Sequence, residues 1–315
     1  MIVCRDGACT VSTIAAPSGP EDYRGFEMKN SVLLLMISLA FALPMRAQWG
    51  AEPVDTLDQA RLMVLYELTY KPDSTDLSRI GKEKMLLLIG NKVSWFQSYN
   101  KYKVDNHLRK LAEEGTLNQF WSDPTAYNKL YQDNWVHFQF QVFKNFPQGK
   151  MTVIERALFT GTFEYEENDP CMAWEYTEDT TTVSGFFTQK AVCRYGGRDW
   201  EAWFAPELPY NDGPYKFCGL PGLIIKVVDT RDHYRFELVS VEMLAEAAPI
   251  LKKQDDNIMR TTREKFFKIN ANARGNGAEN VKDRIVSDGN SNDDYAVKMQ
   301  NYLKSTSNLL ELKCE

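Results

Sequence analysis

Gly196-Gly197, set between runs of aromatic and β-branched residues, constrains local geometry more tightly than any other pair in this chain. Gln189 to Tyr195 and Asp199 to Ala205 flank Gly196-Gly197-Arg198. Glycine reaches positive φ without steric cost, so this stretch reads as a β-hairpin. PELPYNDGP follows, where Pro206, Pro209, Asp212-Gly213 and Pro214 rule out a regular ladder and require an ordered loop. Gly219-Leu220-Pro221-Gly222 makes a second tight turn, and Leu223 to Asp229, LIIKVVD, leaves it as a buried strand.

The same texture extends both ways. In RLMVLYELTYK, Arg61 to Lys71, Val64, Tyr66, Leu68 and Tyr70 share one face of a long half-buried strand. Lys84 to Ile89 and Lys92 to Ser98 flank Gly90-Asn91 as a two-residue hairpin, after a loose lead-in from Gln48 to Gln59. Residues 100–133 break the pattern: Val104, Leu108 and Leu111 fall at helical spacing before Gly115, and Asp123-Pro124 opens a second short helix. Strands resume at Trp135 to Lys144, Thr152 to Phe159, Gly161 to Glu166, Met172 to Thr177 and Tyr234 to Met243. Beyond Pro249 the chain turns polar, with a basic helix over Ile258 to Ala273, a loop over Asn270 to Gly289 and a helix over Asp294 to Lys304. Asn308 to Leu312 is expected to be a last edge strand. Short, evenly spaced strands predict a mainly β (α+β) chain: one curved or partly closed antiparallel sheet, with a helical excursion at 100–133 and C-terminal helices at 249–305.

MKNSVLLLMISLAFALPMRAQ begins at Met28: Lys29, an apolar run from Val32 to Leu43, then Met45-Arg46-Ala47. That is the layout of a secretory signal peptide cut between Ala47 and Gln48. The run is shorter than the roughly 20 residues a bilayer requires, so no transmembrane anchor is expected after cleavage. Residues 1–27 precede this leader and read as a mis-annotated extension, leaving 48–315 as a single exported domain of the periplasm or cell surface. A net charge of −6 gives no electrostatic footprint for nucleic acid. In an oxidising compartment Cys171, Cys193, Cys218 and Cys314 are disulfide candidates, with three pairings open.

Reactive patterns are sparse. His107, His137 and His233 are scattered across a helix, a strand and a turn, with no metal-site spacing, and neither metal nor cofactor is expected. No GxSxG occurs, and Gly275 and Gly277 complete no phosphate-binding loop. Asp288, Asn290 and Asn292 imitate the start of a calcium loop, but Asp293 and Met299 occupy its glycine and bidentate-glutamate positions. The acidic run Glu164, Glu166, Glu167 and Asp169, followed by Glu175, Glu178 and Asp179, offers paired carboxylates of the kind that hydrolyse glycosides, although a charged turn is the commoner use. Arg260, Arg263, Lys265 and Lys268 make a basic face interrupted by Asp255, Asp256 and Glu264. Trp95, Phe96, Trp135, Phe138, Phe140, Phe143, Trp174, Phe186, Phe187, Trp200, Trp203 and Phe204 make the strands strongly aromatic, suited to a packed core or to lining a curved face that holds an apolar ligand.

GPYKFCGLPGLIIKVVD, preceded by QKA, GR and AWFAPELP, closely resembles the GLPGLI family of envelope proteins from Bacteroidetes. The resemblance rests on Lys190, Gly197, Arg198, Trp203, Gly213, Pro214, Phe217, Gly219, Leu220, Pro221, Gly222, Leu223 and Ile224, with weaker likeness in LYELTY and NLLEL. Relatives often carry a cysteine where Thr188 stands here, so their disulfide scheme does not transfer. The resemblance implies an exported, β-rich protein without an established activity. Pro221 and its glycines are expected to fix a turn between two core strands, with Leu220 and Leu223 inward, a structural rather than catalytic role. The resulting expectation is a non-enzymatic binding module for an apolar molecule or an outer-membrane partner; the alternative is an exported hydrolase with paired carboxylates.

Overall fold

The computed structural model describes residues 2–5, 8–11, 54–158, 160–168, 172–275 and 292–312. The leader, its Ala47–Gln48 cleavage point, Asp169, Cys171, Cys314 and the loop carrying Gly277 and Asp288 lie outside the described residues. β1 (Ile2–Arg5) and β2 (Ala8–Val11) pair only with each other. The chain then gives β3 (Val54–Tyr70), β4 (Gly81–Ile89) and β5 (Ser94–Ser98), followed by α1 (Tyr99–Glu113), α2 (Leu117–Ser122) and α3 (Pro124–Asp133). β6 (Gln141–Lys144), β7 (Lys150–Ala157), β8 (Gly161–Asn168), β9 (Glu175–Val183), β10 (Phe186–Tyr195) and β11 (Arg198–Ala205) come next. β12 (Leu223–Asp229), β13 (Tyr234–Lys253), β14 (Met259–Thr262), α4 (Arg263–Gly275) and α5 (Asn292–Ser305) complete it.

Twelve strands form one open sheet in the order β14-β8-β7-β6-β5-β4-β3-β13-β12-β11-β10-β9. Two meanders, one on each side, are joined by the long antiparallel ladder between β3 and β13. The fold is mainly β, and the sheet is not closed into a barrel. It is strongly curved. Phe96 on β5 and Phe236 on β13 meet edge to face with centroids 6.1 Å apart, although a flat sheet would hold strands three steps apart at about 14 Å. Leu62, Val64, Tyr66, Leu68 and Tyr70 fill this inner face from β3, joined by Met85, Val142, Val153, Trp200 and Phe236. The segment between β11 and β12 folds into the curve, burying Tyr215, Phe217 and Leu220. A second apolar layer on the opposite face gathers Leu86, Leu88, Trp95, Phe143 and Ile154, with Tyr99 and Tyr102 of α1 packed against it.

Local chemistry explains most boundaries. Gly196 and Gly197 take φ of 59° and 76°, and Tyr195 pairs with Arg198 across them, a two-residue hairpin. α1 begins at Ser98, whose hydroxyl accepts the Lys101 N–H at 3.3 Å, and α3 begins at Asp123 with Pro124 behind it.

Several expected boundaries move. The strand expected from Trp135 is confined to Gln141–Lys144, because the His137 and Phe138 N–H groups donate to the Glu83 carboxylate at 3.2 and 3.1 Å rather than to a ladder. Gly90-Asn91 belongs to a four-residue connection, since Ile89 pairs with Ser94 while Asp58 accepts the Lys92 and Val93 N–H groups. β3 starts at Val54 inside the supposed lead-in, and β9 starts at Glu175. β13 continues past Pro249 to Lys253; the missing N–H is tolerated because β12 pairs with β13 only as far as Glu237. Met259–Thr262 is a strand, so the basic helix starts only at Arg263; this strand lies parallel to β8, the one departure from antiparallel pairing among the described residues. Asn308 to Leu312 forms no strand and is held chiefly by side chains.

Candidate functional site

The motif residues divide between the two faces of the sheet. On the inner side lie four buried cations, the motif residue Arg198 and its neighbours Lys144, Lys216 and Arg263. Arg198 starts β11 directly after the glycine pair, with a side chain only 2% exposed beside Asp229, whose Oδ2 lies 3.1 Å away. Its Nε donates to the Leu310 carbonyl at 3.0 Å, and its Nη2 donates to Asn308 Oδ1 at 2.7 Å and the Leu309 carbonyl at 2.5 Å. The guanidinium lies over the Tyr234 ring. One arginine thus grips three consecutive residues of the segment after α5.

Lys216 is fully buried, with Nζ 2.7 Å from Glu311 Oε1 and 2.8 Å from Glu167 Oε1. Arg263, at the start of α4, closes the square: it lies 2.6 Å from Glu311 Oε2 and 3.0 Å from Glu167 Oε2. Tyr215 also donates to Glu311. Burial alone would raise the Glu311 carboxyl, but Lys216 and Arg263 outweigh it and hold the group below the usual range. Glu155, 3.4 Å from the Tyr165 hydroxyl, is pushed up to about 7 by burial and the Glu311 charge, against the pull of Lys216. A third latch joins Lys144 to Asp212 at 2.5 Å and to the carbonyls of Gly213 and Phe217 at 2.6 and 3.0 Å.

These latches seat the turn that carries the motif. Phe217 is buried against Trp200 at 4.8 Å, with Trp174 and Tyr195 beyond. Leu220, Leu223 and Ile224 are fully buried, while Pro214 and its neighbours close a turn through the Phe217 N–H at 3.1 Å and Pro221 is exposed. Gly213 lies so close to Ile224 that a Cβ would stand 2.7 Å from it. Gly219 takes φ +90°, and a Cβ there would meet only Trp174 Nε1 at 4.0 Å, whereas a Cβ at Gly222, φ +154°, would stand 2.3 Å from the Ala205 carbonyl oxygen.

On the outer face the cross-strand register places Lys190, Trp203, Lys226 and Glu237 directly opposite one another in a row. Lys190 lies 5.8 Å from the Trp203 ring and 3.1 Å from Glu201, with Asp179 at 3.6 Å; Lys226 pairs with Glu237 at 3.1 Å. A groove of about 560 Å³ runs over three members of this row, lined by Trp203, Lys226, Glu237 and Leu238 and by Thr181 to Ser184 at the end of β9, with Lys190 outside the lining.

The acidic run disperses. Glu164 pairs with Lys252 at 2.7 Å, Glu166 with Lys150 at 2.7 Å, and Glu167 joins the inner square, while Glu175 and Glu178 lie exposed on β9 at the other end of the sheet order. His137 stacks on Tyr70 at 5.0 Å, and burial pushes its ring down to about 4. The Cys193 thiol is buried without a disulfide and pushed up to about 12 by burial, while the Cys218 carbonyl accepts the Trp174 indole N–H. Among the described residues no cluster of His, Cys, Asp and Glu suits a metal ion, and no helix is long and apolar enough to cross a membrane.

Sequence reading singled out Arg198, and Glu167 as part of the acidic run, but missed Lys216, Lys144 and Glu311. The available signal was a lysine between aromatic residues in YKF and an acid inside the apolar NLLEL. Their pairing spans 95 residues, beyond any local pattern.

A family model described as a protein of unknown function (Porph_ging) matches residues 160–226, from β8 into β12. No curated protein matches. A solved structure of PNGF-II in space group P21 is 13% identical, with a TM-score of 0.43, over 69% of this chain and 34% of that one. A PNGF-II structure in space group C2 gives 14% identity and a TM-score of 0.42, over 69% and 33%. The present chain thus spans about a third of each of those chains.

Proposed function

We propose that this chain is an exported, non-enzymatic binding module of the GLPGLI type, which takes its ligand on the outer face of the sheet around Trp203. One observation carries this reading. Arg198, Phe217 and Leu220 are sealed inside as structural supports, whereas Lys190 and Trp203 belong to the same sequence words yet face outward beside a groove of about 560 Å³. That volume lies within the range of small-molecule sites. The leader at Lys29 to Ala47 supports export. The lining mixes Val183, Leu238 and the indole with hydroxyls and ion pairs, so it suits a ligand that is apolar on one side only. The inner ionic square is spent on holding the chain's own residues. The carboxylate hydrolase remains the alternative, but it requires facing acids, and Glu164, Glu166 and Glu167 each face a lysine instead.

Native mass spectrometry of protein purified gently from a periplasm tests the reading. A reproducible added mass on wild type, stripped by organic solvent and absent from Trp203→Ala, is the expected result. An added mass indifferent to Trp203→Ala, or hydrolysis of a glycoside that is lost with Glu167→Gln while the variant stays folded, would overturn it.

A further inference from the structure

We infer that the groove over Trp203 is built for a neutral saccharide; this rests on the outer-face binding reading and specifies its ligand. The argument starts from charge. Lys190 and Lys226 flank the indole on the two neighbouring strands, but each is already engaged, Lys190 by Glu201 and Asp179 and Lys226 by Glu237. With Arg235, which lies 3.9 Å from Glu237 and also pairs with Asp232, three cations stand among four carboxylates and leave no surplus positive charge. A phosphate or fatty-acid carboxylate would have to displace one of those acids, at the cost of leaving it beside the newcomer. An acyl chain, for its part, requires a lining that is apolar throughout, and Thr181, Thr182, Ser184, Lys226 and Glu237 interrupt this one.

A pyranose ring meets the same surface without conflict. One of its faces presents polarised C–H groups, which pack on the electron-rich face of an indole as other positive edges do. Its rim presents hydroxyls that both donate and accept, and so require both partners within reach. Here the Glu237 carboxylate accepts, the Lys226 ammonium group donates, and the threonine and serine hydroxyls do either. The ion pairs also hold those partners in place: Lys190 and Lys226 are tethered on opposite sides of Trp203, so little side-chain entropy remains to be lost on binding. The floor is rigid for the same reason, because Trp203 sits mid-strand between β10 and β12 rather than on a loop.

The test uses the whole protein on a printed array of neutral and acidic glycans, followed by titration of any ligand found, with palmitate and tripolyphosphate in parallel. The reporter is the indole N–H resonance of Trp203, assigned by its loss in Trp203→Phe. The expected result is saturable binding of at least one neutral glycan that shifts this resonance. Affinity should fall at least tenfold in Trp203→Ala and several-fold in Glu237→Gln, with thermal midpoints near wild type. If Trp203→Ala unfolds, Glu237→Gln and Thr182→Val carry the test. Binding only to palmitate or tripolyphosphate, with the Trp203 resonance shifting, would overturn the saccharide inference and leave the groove as a binding site. Absence of any Trp203 response across array and controls would overturn both. Glycan binding unaffected by every groove variant would place the saccharide elsewhere and overturn the inference as well.

Discussion

Gly219 and Gly222 lie three residues apart in one turn, yet an added methyl group meets different surroundings at each. At Gly219 it meets only the Trp174 indole nitrogen at an ordinary 4.0 Å and costs only the strain of positive φ, about 1 kcal/mol. At Gly222 it collides with the Ala205 carbonyl 2.3 Å away, where backbone and not a flexible side chain must move. We expect Gly222→Ala to lower stability by about 3 kcal/mol and Gly219→Ala by about a third of that, measured by urea unfolding. Lys216 tests a second kind of cost. Replacing it with Met leaves Glu167 and Glu311 buried with less compensation, an expected loss of about 3 kcal/mol, whereas Lys216→Met combined with Glu311→Leu should recover at least half. Full loss in the double variant would mean that packing, not charge, holds this corner. The glycine words announced these turns because positive φ has a compositional signature; a buried lysine has none, and Lys216 became visible only once Glu311 stood beside it.

At the scale of elements, what was legible is what repeats. Alternation in β3 and the Gly196-Gly197 hairpin could be read from residues that are close in sequence, and the helical excursion from its spacing and caps. The residues between Trp135 and Phe140 alternate just as well, but a carboxylate on β4 takes their N–H groups. NLLEL has strand-like residues and forms no strand, because Arg198 occupies the carbonyls of Leu309 and Leu310. This segment is a fastening for the motif residues rather than an edge. Truncation after Ser307 should therefore remove three acceptors of Arg198 and the Glu311 carboxylate shared by Lys216 and Arg263, leaving them Asp229 and Glu167, and lower the thermal midpoint by about 10 °C. A peptide of residues 306–312 added in trans should restore part of the loss, and an unchanged midpoint would show the fastening to be dispensable.

Across the molecule, burial of ionisable groups links stability to pH. Burial pushes the Glu83 carboxyl from 4.5 up to about 7 despite the N–H groups of Phe138 and His137. The folded state then binds this proton more tightly than the unfolded chain does, so the contribution is whole below about pH 4.5 and is lost as pH rises towards 7. Relative to wild type, Glu83→Gln should gain stability across that window by roughly 2–3 kcal/mol and hold the gain above it, read from urea midpoints between pH 4.5 and 8. A constant difference at all pH values would rule out this titration. The mainly β architecture was legible because its strands alternate between tight turns, whereas their order was not: nothing local says that β3 lies beside β13. That ladder also sets a timetable. Its two strands are about 170 residues apart in the chain, so at roughly 5–20 residues per second a ribosome takes about ten to thirty seconds to deliver the second after the first. For that interval the apolar stripe from Leu62 to Tyr70 has no permanent neighbour on one side, so the meander from β3 to β8 can pair as it emerges, while completion of the sheet must wait for nearly the whole chain.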